Sequence, residues 1–139
     1  MLRVLVFCVL LFTPFVHAQS IMVDRIRSVY DADTFRVDID SWPTIIESNM
    51  SIRVNGVDAA EIRGKCPSEK RQAKAAREFT NHFLKQGHQI ELRDLKRGKY
   101  FRLIADVYVD GKSLSKELIT SGNARPYDGG HREGWCQTL

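Results

Sequence analysis

The sequence predicts one α+β domain built on a five-stranded Greek-key β-barrel, with a helix after the third strand and a short helix after the fifth. Three observations support this fold class. Five short segments carry the alternating or β-rich patterns of strands. One longer segment carries apolar residues at helical spacing instead. The chain has 139 residues, 43% hydrophobic and 27% charged, which suits one compact globular domain.

The first three strands are predicted to precede the long helix. Residues 21–30 are rich in β-forming side chains, and the sequence Asp31-Ala32-Asp33 then predicts a tight turn. Apolar and polar side chains alternate over residues 34–40. Residues 50–57 form the third predicted strand, and residues 58–67 a loop.

Residues 68–86 predict the long helix. Pro67 and Ser68 suit its start, and Gly87 suits its end. Its remaining faces carry several Lys and Arg residues, which are more typical of a solvated helix face than of a binding surface. The apolar stripe consists of Ala73, Ala76, Phe79, Phe83 and Leu84.

Two further strands and a short helix complete the predicted domain. Residues 88–95 form the fourth strand, and residues 100–109 a fifth, which is apolar at most positions and therefore expected to be covered on both faces. Residues 113–121 form a short helix that ends before Gly122. No regular element is predicted beyond residue 123. This order of elements fits a barrel of the OB type, which leaves one face and its loops open to oligonucleotides.

The N-terminal segment predicts a secretory signal. Arg3 precedes an almost wholly apolar run over residues 4–16, and cleavage is expected after Ala18. The run is short for a membrane span, although an uncleaved anchor is an alternative. Cleavage leaves the domain 19–139 in the periplasm or outside the cell, without stable membrane association. It also lowers the net charge from +4 to +3, which is compatible with a polyanionic partner.

The cysteine count predicts one disulfide. Cys8 leaves with the signal, so Cys66 and Cys136 remain as an even pair in an oxidising compartment. Their bridge would close a loop of about 70 residues and stabilise the fold by about 4 kcal/mol in the chain-entropy model. Two free thiols or a metal-binding pair are the alternatives.

Charged residues on separate segments indicate phosphodiester chemistry. Arg53 lies on the third strand, ahead of Asp58 and Glu61, whereas Asp33 lies in the first turn. Arg102 lies on an apolar strand, where burial without an anion would be costly. Carboxylates bind hard cations such as Ca²⁺, arginines bind phosphate, and a remaining carboxylate can orient water. A turn or ion-pair role explains any one of these residues equally well, so the case depends on their combination.

These residues lie in segments that resemble the thermonuclease family, whose prototype is staphylococcal nuclease. The ending Y-D-G-G-H-R-E-G-W-C is similar to the short secreted bacterial branch of that family. The matching segments are D-A-D-T (31–34), I-R-V-N-G-V-D-A-A-E (52–61), K-Y-F-R-L-I-A-D-V-Y-V-D-G (99–111) and S-G-N-A-R-P-Y (121–127).

The resemblance implies an OB barrel with helices and a monomeric, calcium-dependent endonuclease. Such an enzyme cleaves DNA and RNA with little sequence specificity and leaves 3′-phosphate ends. Asp33 and Asp58 match the calcium carboxylates of the family, and Ala59 matches a residue that binds the ion through its main-chain oxygen.

The resemblance also assigns the remaining site residues. Glu61 matches the general base or water-orienting carboxylate. Arg53 and Arg102 match the two phosphate-binding arginines, and Tyr100 matches a tyrosine that lines the nucleotide pocket. Lys65, Lys70 and Tyr127 do not align securely with family residues and are weaker candidates.

The chain also departs from the family pattern. Phe101 occupies a usual glycine position, as does Ala32 between the two acids. The long C-terminal helix of the prototype has no counterpart, and we expect the Cys66–Cys136 bridge and packing of Trp135 to replace its anchoring role. The alternative function is a non-catalytic OB module that binds single-stranded nucleic acid, although such a module would not need the whole catalytic set.

Overall fold

The computed structural model describes residues 19–136, in which two helices pack on a mixed β-sheet. The predicted signal, residues 1–18, lies outside this range. Neither described helix has the length and apolar character required to cross a membrane. The helices are α1 (Pro67–Gln86) and α2 (Leu114–Thr120). The strands are β1 (Ser20–Met22), β2 (Arg25–Asp31), β3 (Thr34–Asp38), β4 (Met50–Val54), β5 (Val57–Asp58), β6 (Ile90–Arg97), β7 (Arg102–Val109), β8 (Lys112–Ser113) and β9 (Arg125–Pro126).

The main sheet has the order β1-β6-β7-β4-β3-β2, with β8 paired to β7, and a second sheet pairs β5 with β9. The α+β class with two helices is confirmed, and the sheet is consistent with an OB-like fold, but the described residues do not form a closed barrel. The predicted first strand is divided at Val23, whose N–H donates to the Ile90 carbonyl (2.9 Å). The next N–H, of Asp24, donates to the Asp38 carbonyl (3.0 Å). The chain therefore changes partner from β6 to β3 at this bend, and covalent continuity rather than a strand ladder joins the two ends of the sheet.

Strands β3 and β4 lie in the predicted segments, and their side chains alternate so that one face of each strand is in the core. Phe35 and Val37 of β3 are fully buried, as is Ile52 of β4. The prediction that the fifth strand, β7, is covered on both faces is wrong. The side chains on its second face are only partly buried. One of them, Tyr108, is covered by the guanidinium of Arg93, which lies 4.1 Å from the ring centroid.

Helix α1 packs on the sheet through small residues and holds the turn between β2 and β3. Ala73 and Ala76 are fully buried on its inner face, which lets the helix approach closely. The buried hydroxyl of Thr80 donates a 2.7 Å hydrogen bond to the main-chain carbonyl of Ala32. This bond fixes the backbone immediately before Asp33.

Asp38 contributes pH-dependent stability to the fold. Its buried carboxylate accepts from Arg27 (2.6 Å), the Asn49 N–H (2.9 Å) and Arg25 (2.9 Å), which together hold its pKa well below the usual range. The stabilisation is therefore present above the unfolded-state pKa of about 3.9 and is lost as the pH falls towards the folded-state pKa.

We expect Asp38→Asn to lower the free energy of unfolding at pH 7, because Arg27 loses its ion pair with Asp38 and Arg25 loses one of its two. The difference from wild type should shrink between pH 5 and pH 2, as urea unfolding at several pH values would show. Asp40→Asn is the control, since that carboxylate is half exposed in its pairing with Arg25 and should matter less. A difference that does not change with pH would contradict this role for Asp38.

Candidate active site

Asp33 lies at the turn after β2 and is only 2% exposed. Its Oδ1 accepts from Arg53 Nη1 (2.8 Å) and from the Thr34 hydroxyl (2.9 Å). Its Oδ2 accepts from the N–H of Ala59 (3.0 Å). A carboxylate this buried requires such partners to offset its desolvation. Asp33 therefore joins the first turn to the strand that carries Arg53 and to the loop that follows Asp58.

Arg53 lies between the two acids that the sequence assigned to the metal. Besides its bond to Asp33, its Nη2 donates to the Val57 carbonyl (3.3 Å) and lies 3.8 Å from Asp58 Oδ1. Asp58 is 4% exposed. The structure therefore brings together Asp33, Arg53 and Asp58 around one guanidinium group.

Arg102 faces the same side of the sheet as Arg53. Strands β4 and β7 are parallel, with Ser51 opposite Arg102 and Arg53 opposite Ile104. Because side chains alternate along a strand, Arg53 and Arg102 project from one face of neighbouring strands. Among the described residues, Arg102 makes no ion pair, and its Nε is buried without a hydrogen-bond partner. It is thus available to bind an anion.

The two aromatic residues before Arg102 are exposed at the turn between β6 and β7. Tyr100 is 90% exposed and Phe101 is 64% exposed. The role of Tyr100 in lining a nucleotide pocket stays a prediction. Both residues have positive φ, +58° and +56°, which non-glycine residues rarely adopt. The usual family glycine at position 101 would tolerate this conformation without strain.

The loop that carries Glu61 is held by both acids of the first turn. The Ala59 N–H bonds to Asp33, as described above, and the Ile62 N–H donates to Asp31 Oδ1 (2.9 Å). Burial raises the pKa of Asp31, as do the nearby charges of Asp33 and Glu61, while the Ile62 N–H opposes the rise. Glu61 itself is partly exposed, at the mouth of the site.

Two C-terminal residues complete the acidic site. Arg132 donates from Nε to Asp58 Oδ1 (2.6 Å), pairs with the same oxygen through Nη2, and donates from Nη1 to Glu61 Oε1 (2.8 Å). Trp135 Nε1 donates to Asp58 Oδ2 (3.0 Å). The sequence interpretation gave Arg132 no role and assigned Trp135 only to packing. Their closeness to Cys136 in sequence could have indicated a role in the site, because a disulfide from Cys136 to Cys66 brings this segment close to Glu61.

The segment 127–136, here called the C-terminal segment, is attached to the site at both ends. Strand β9 places Arg125 opposite Asp58 of β5. The Arg125 guanidinium lies 3.6 Å from the ring centroid of Trp135 and donates to the Gly134 carbonyl (2.9 Å). At the far end, Cys136 forms a disulfide with Cys66, which immediately precedes α1.

Two grooves border these residues. One, of about 600 Å³, is lined by Asp58, Arg125, Tyr127 and Arg132, among others. The second, of about 380 Å³, is lined by Arg53, Lys96 and Tyr127, among others. Volumes of this size accommodate a nucleotide-sized ligand. Tyr127, a weak candidate from sequence, lines both grooves.

A family model for staphylococcal nuclease homologues matches residues 51–134. The chain belongs to the staphylococcal nuclease family. No curated protein matches it in a sequence search. The family match runs from β4 to the C-terminal segment and includes Arg53, Glu61, Arg102 and Arg132, whereas Asp33 precedes it.

The donor atoms of this staphylococcal nuclease domain fit a hard cation. Asp33, Asp58 and the main-chain oxygen of Ala59 would supply oxygen ligands, the type that Ca²⁺ prefers. The guanidinium between Asp58 and Glu61 shows that the site accommodates a positive charge beside Arg53. Arg132 contacts Oδ1 of Asp58 through two nitrogens, so a cation can bind that oxygen only if Arg132 moves, whereas Oδ2 accepts one hydrogen bond, from Trp135.

A second group of potential ligands lies at the disulfide. Cys66, Cys136 and Glu69 place their donor atoms within 4.8 Å of one another. The two sulfurs are bonded to each other, so neither is a thiolate ligand. Glu69 instead accepts the Lys65 N–H (2.8 Å) and fixes the loop between Glu61 and α1.

Proposed function

We propose that this domain is a calcium-dependent endonuclease that hydrolyses phosphodiester bonds of DNA and RNA with little sequence specificity. The observation that carries the proposal is the convergence of Arg53 with Asp33 and Asp58, with Arg102 on the same face of the adjacent strand. An ion pair made only for stability would not require a second arginine on the same face of the neighbouring strand, with a buried Nε that has no hydrogen-bond partner among the described residues. Family membership supports a nuclease or nucleic-acid-binding role.

Each residue then has one task. Asp33, Asp58 and the Ala59 carbonyl would hold Ca²⁺, which when bound supplies positive charge to the scissile phosphate. Arg53 and Arg102 bind the phosphate oxygens and stabilise their charge as it increases in the transition state. Glu61 orients a water molecule and accepts its proton. The water oxygen bonds to phosphorus, the bond to the 5′ oxygen breaks, and the leaving 5′ oxygen takes up a proton from solvent, which gives a 3′-phosphate and a 5′-hydroxyl.

The proposal includes a location and an oligomeric state. A chain cleaved after Ala18 would act as a monomer in the periplasm or outside the cell. The Cys66–Cys136 disulfide supports an oxidising compartment, because such bonds persist there. Phosphate contacts would provide most of the affinity for nucleic acid, which is consistent with the low sequence specificity proposed.

Digestion of plasmid DNA and of RNA tests this function. We expect cleavage of both with Ca²⁺ and none with chelator, and fragments whose 3′ ends a polymerase extends only after phosphatase treatment. Full cleavage in chelator would contradict the metal assignment. Fragments that a polymerase extends directly would contradict the proposed bond cleavage.

The second candidate, a non-catalytic module for single-stranded nucleic acid, is supported by the turn between β6 and β7. Exposed Tyr100 and Phe101 could stack on bases, and Arg97 lies 5.9 Å from the Phe101 ring centroid. Binding of oligonucleotides without any cleavage in Ca²⁺ would favour this candidate over the enzyme.

A further inference from the structure

We propose that Arg132 is the resident cation of the acidic site and sets its affinity for Ca²⁺, because its guanidinium occupies Oδ1 of Asp58 and Oε1 of Glu61 and competes with the metal for them. We further propose that the Cys66–Cys136 disulfide holds Arg132 in this position. Both statements rest on the proposed calcium-dependent function.

The contacts of Arg132 are those of a competitor. Its three guanidinium nitrogens all engage Asp58 or Glu61, the proposed metal ligand and the proposed water-orienting residue. With Trp135 on the second oxygen, Asp58 has both of its oxygens engaged by the C-terminal segment. A cation that binds Asp58 through Oδ1 must therefore displace Arg132, because two guanidinium nitrogens already occupy that oxygen.

Charge strengthens the competition. Arg53 already contributes one positive charge between Asp33 and Asp58. A divalent ion added beside both Arg53 and Arg132 would be repelled by two guanidinium groups at short range. Movement of Arg132 removes one of them, whereas Arg53 is anchored on β4 and remains.

The C-terminal segment is built so that Arg132 can move. Residues 128–134 are exposed and contain no helix or strand, and Gly129 has a φ of +97° at the turn that reverses the chain. The side chain of Arg132 is 39% exposed. Displacement of such a segment breaks few buried contacts and leaves the core intact.

The disulfide determines how firmly Arg132 is held. Cys136 follows Arg132 closely in sequence, and its bond to Cys66 fixes the far end of the segment beside the Glu61 loop. A short tether keeps Arg132 at a high effective concentration near its carboxylates. Reduction removes the tether, so the reduced protein should bind Ca²⁺ more tightly. By reciprocity, Ca²⁺ should make the disulfide easier to reduce.

Calorimetric titration with Ca²⁺ tests the competition directly. We expect Arg132→Gln to lower the dissociation constant for Ca²⁺ on the order of tenfold, within the range usual for coupled sites. Arg63→Gln is the matched control, because it removes the same charge from an exposed residue that bonds to neither Asp58 nor Glu61. Arg132→Lys keeps the charge but loses the forked geometry, and it should give an intermediate constant.

The disulfide provides a second measurement that does not involve catalysis. In glutathione buffers, Ca²⁺ should shift the point of half-reduction of Cys66–Cys136 towards more oxidising conditions in the wild-type protein. The shift should be much smaller in Arg132→Gln. Urea unfolding of each variant in chelator confirms that the proteins compared are folded.

The outcomes separate this inference from the proposed function. An unchanged or weaker Ca²⁺ affinity in Arg132→Gln, with Ca²⁺-dependent cleavage retained, overturns the competition and leaves the nuclease proposal standing. An equal gain in Arg63→Gln also overturns it, because the effect would then be one of net charge. Absence of Ca²⁺ binding in every variant overturns both proposals.

Discussion

Glu61→Gln is expected to lower kcat by about 10²–10⁴-fold, the usual range for loss of a general base. Glutamine has nearly the same shape but accepts a proton poorly, so the substrate can bind while the attacking water is not activated. The substitution also removes the ion pair with Arg132. Because Glu61 is 47% exposed, this loss should change the free energy of unfolding only slightly.

The measurement is steady-state cleavage of an oligonucleotide labelled at both ends, with its binding measured separately in the absence of turnover. Glu78→Gln on the exposed face of α1 is the matched control and should keep the wild-type rate. A fall in kcat of less than about tenfold would exclude Glu61 from the proton transfer. A fall caused only by lost DNA binding would give Glu61 a positioning role.

Removal of the disulfide is expected to have the largest effect on stability. The double variant Cys66→Ser/Cys136→Ser should lose about 4 kcal/mol of unfolding free energy, because the bond closes a loop with a sequence separation of 70. The origin of the loss in this model is greater chain entropy of the unfolded state. Urea unfolding of the oxidised wild type and of the double variant measures the difference.

Reductant provides the control for the disulfide prediction. Reduced wild type and the double variant should unfold at the same urea concentration, and reductant should not affect the double variant. A difference of less than about 1 kcal/mol between oxidised wild type and double variant would contradict the entropic contribution of the bond. Unequal midpoints for the reduced wild type and the double variant would indicate that serine itself perturbs the site.

Local periodicity was sufficient to predict the elements that are long enough to show it. Helix α1 has an apolar stripe at helical spacing, and strands β3 and β4 have alternating side chains. These are the two patterns that sequence analysis detects best. Strands β5 and β9 have two residues each, a single period, which is too short to show an alternating pattern. The division of the first strand at Val23 is set by partners on β6 and β3, which local sequence does not encode.

The same limit applies to the site. Arg53, Asp58 and Glu61 lie near one another in sequence, and their combination indicated chemistry before the fold was known. The position of Arg102 beside Arg53 depends on the parallel register of β4 and β7, which is a tertiary property. Arg132 was missed because its partner Asp58 is 74 positions earlier, and the proximity of Arg132 to Cys136 in sequence was the one signal that linked it to the site.

The pairing of β5 with β9 also sets the order in which the protein can be assembled. A growing polypeptide is made from its amino end, so Asp58 is synthesised well before Arg125, its partner in the two-stranded sheet. Until translation has passed β9, the strand that carries Asp58 has no neighbour to pair with, and Trp135 and Cys136 do not yet exist. The acid cluster is consequently complete only after synthesis has passed Cys136, and a nascent chain that ends before that residue lacks it.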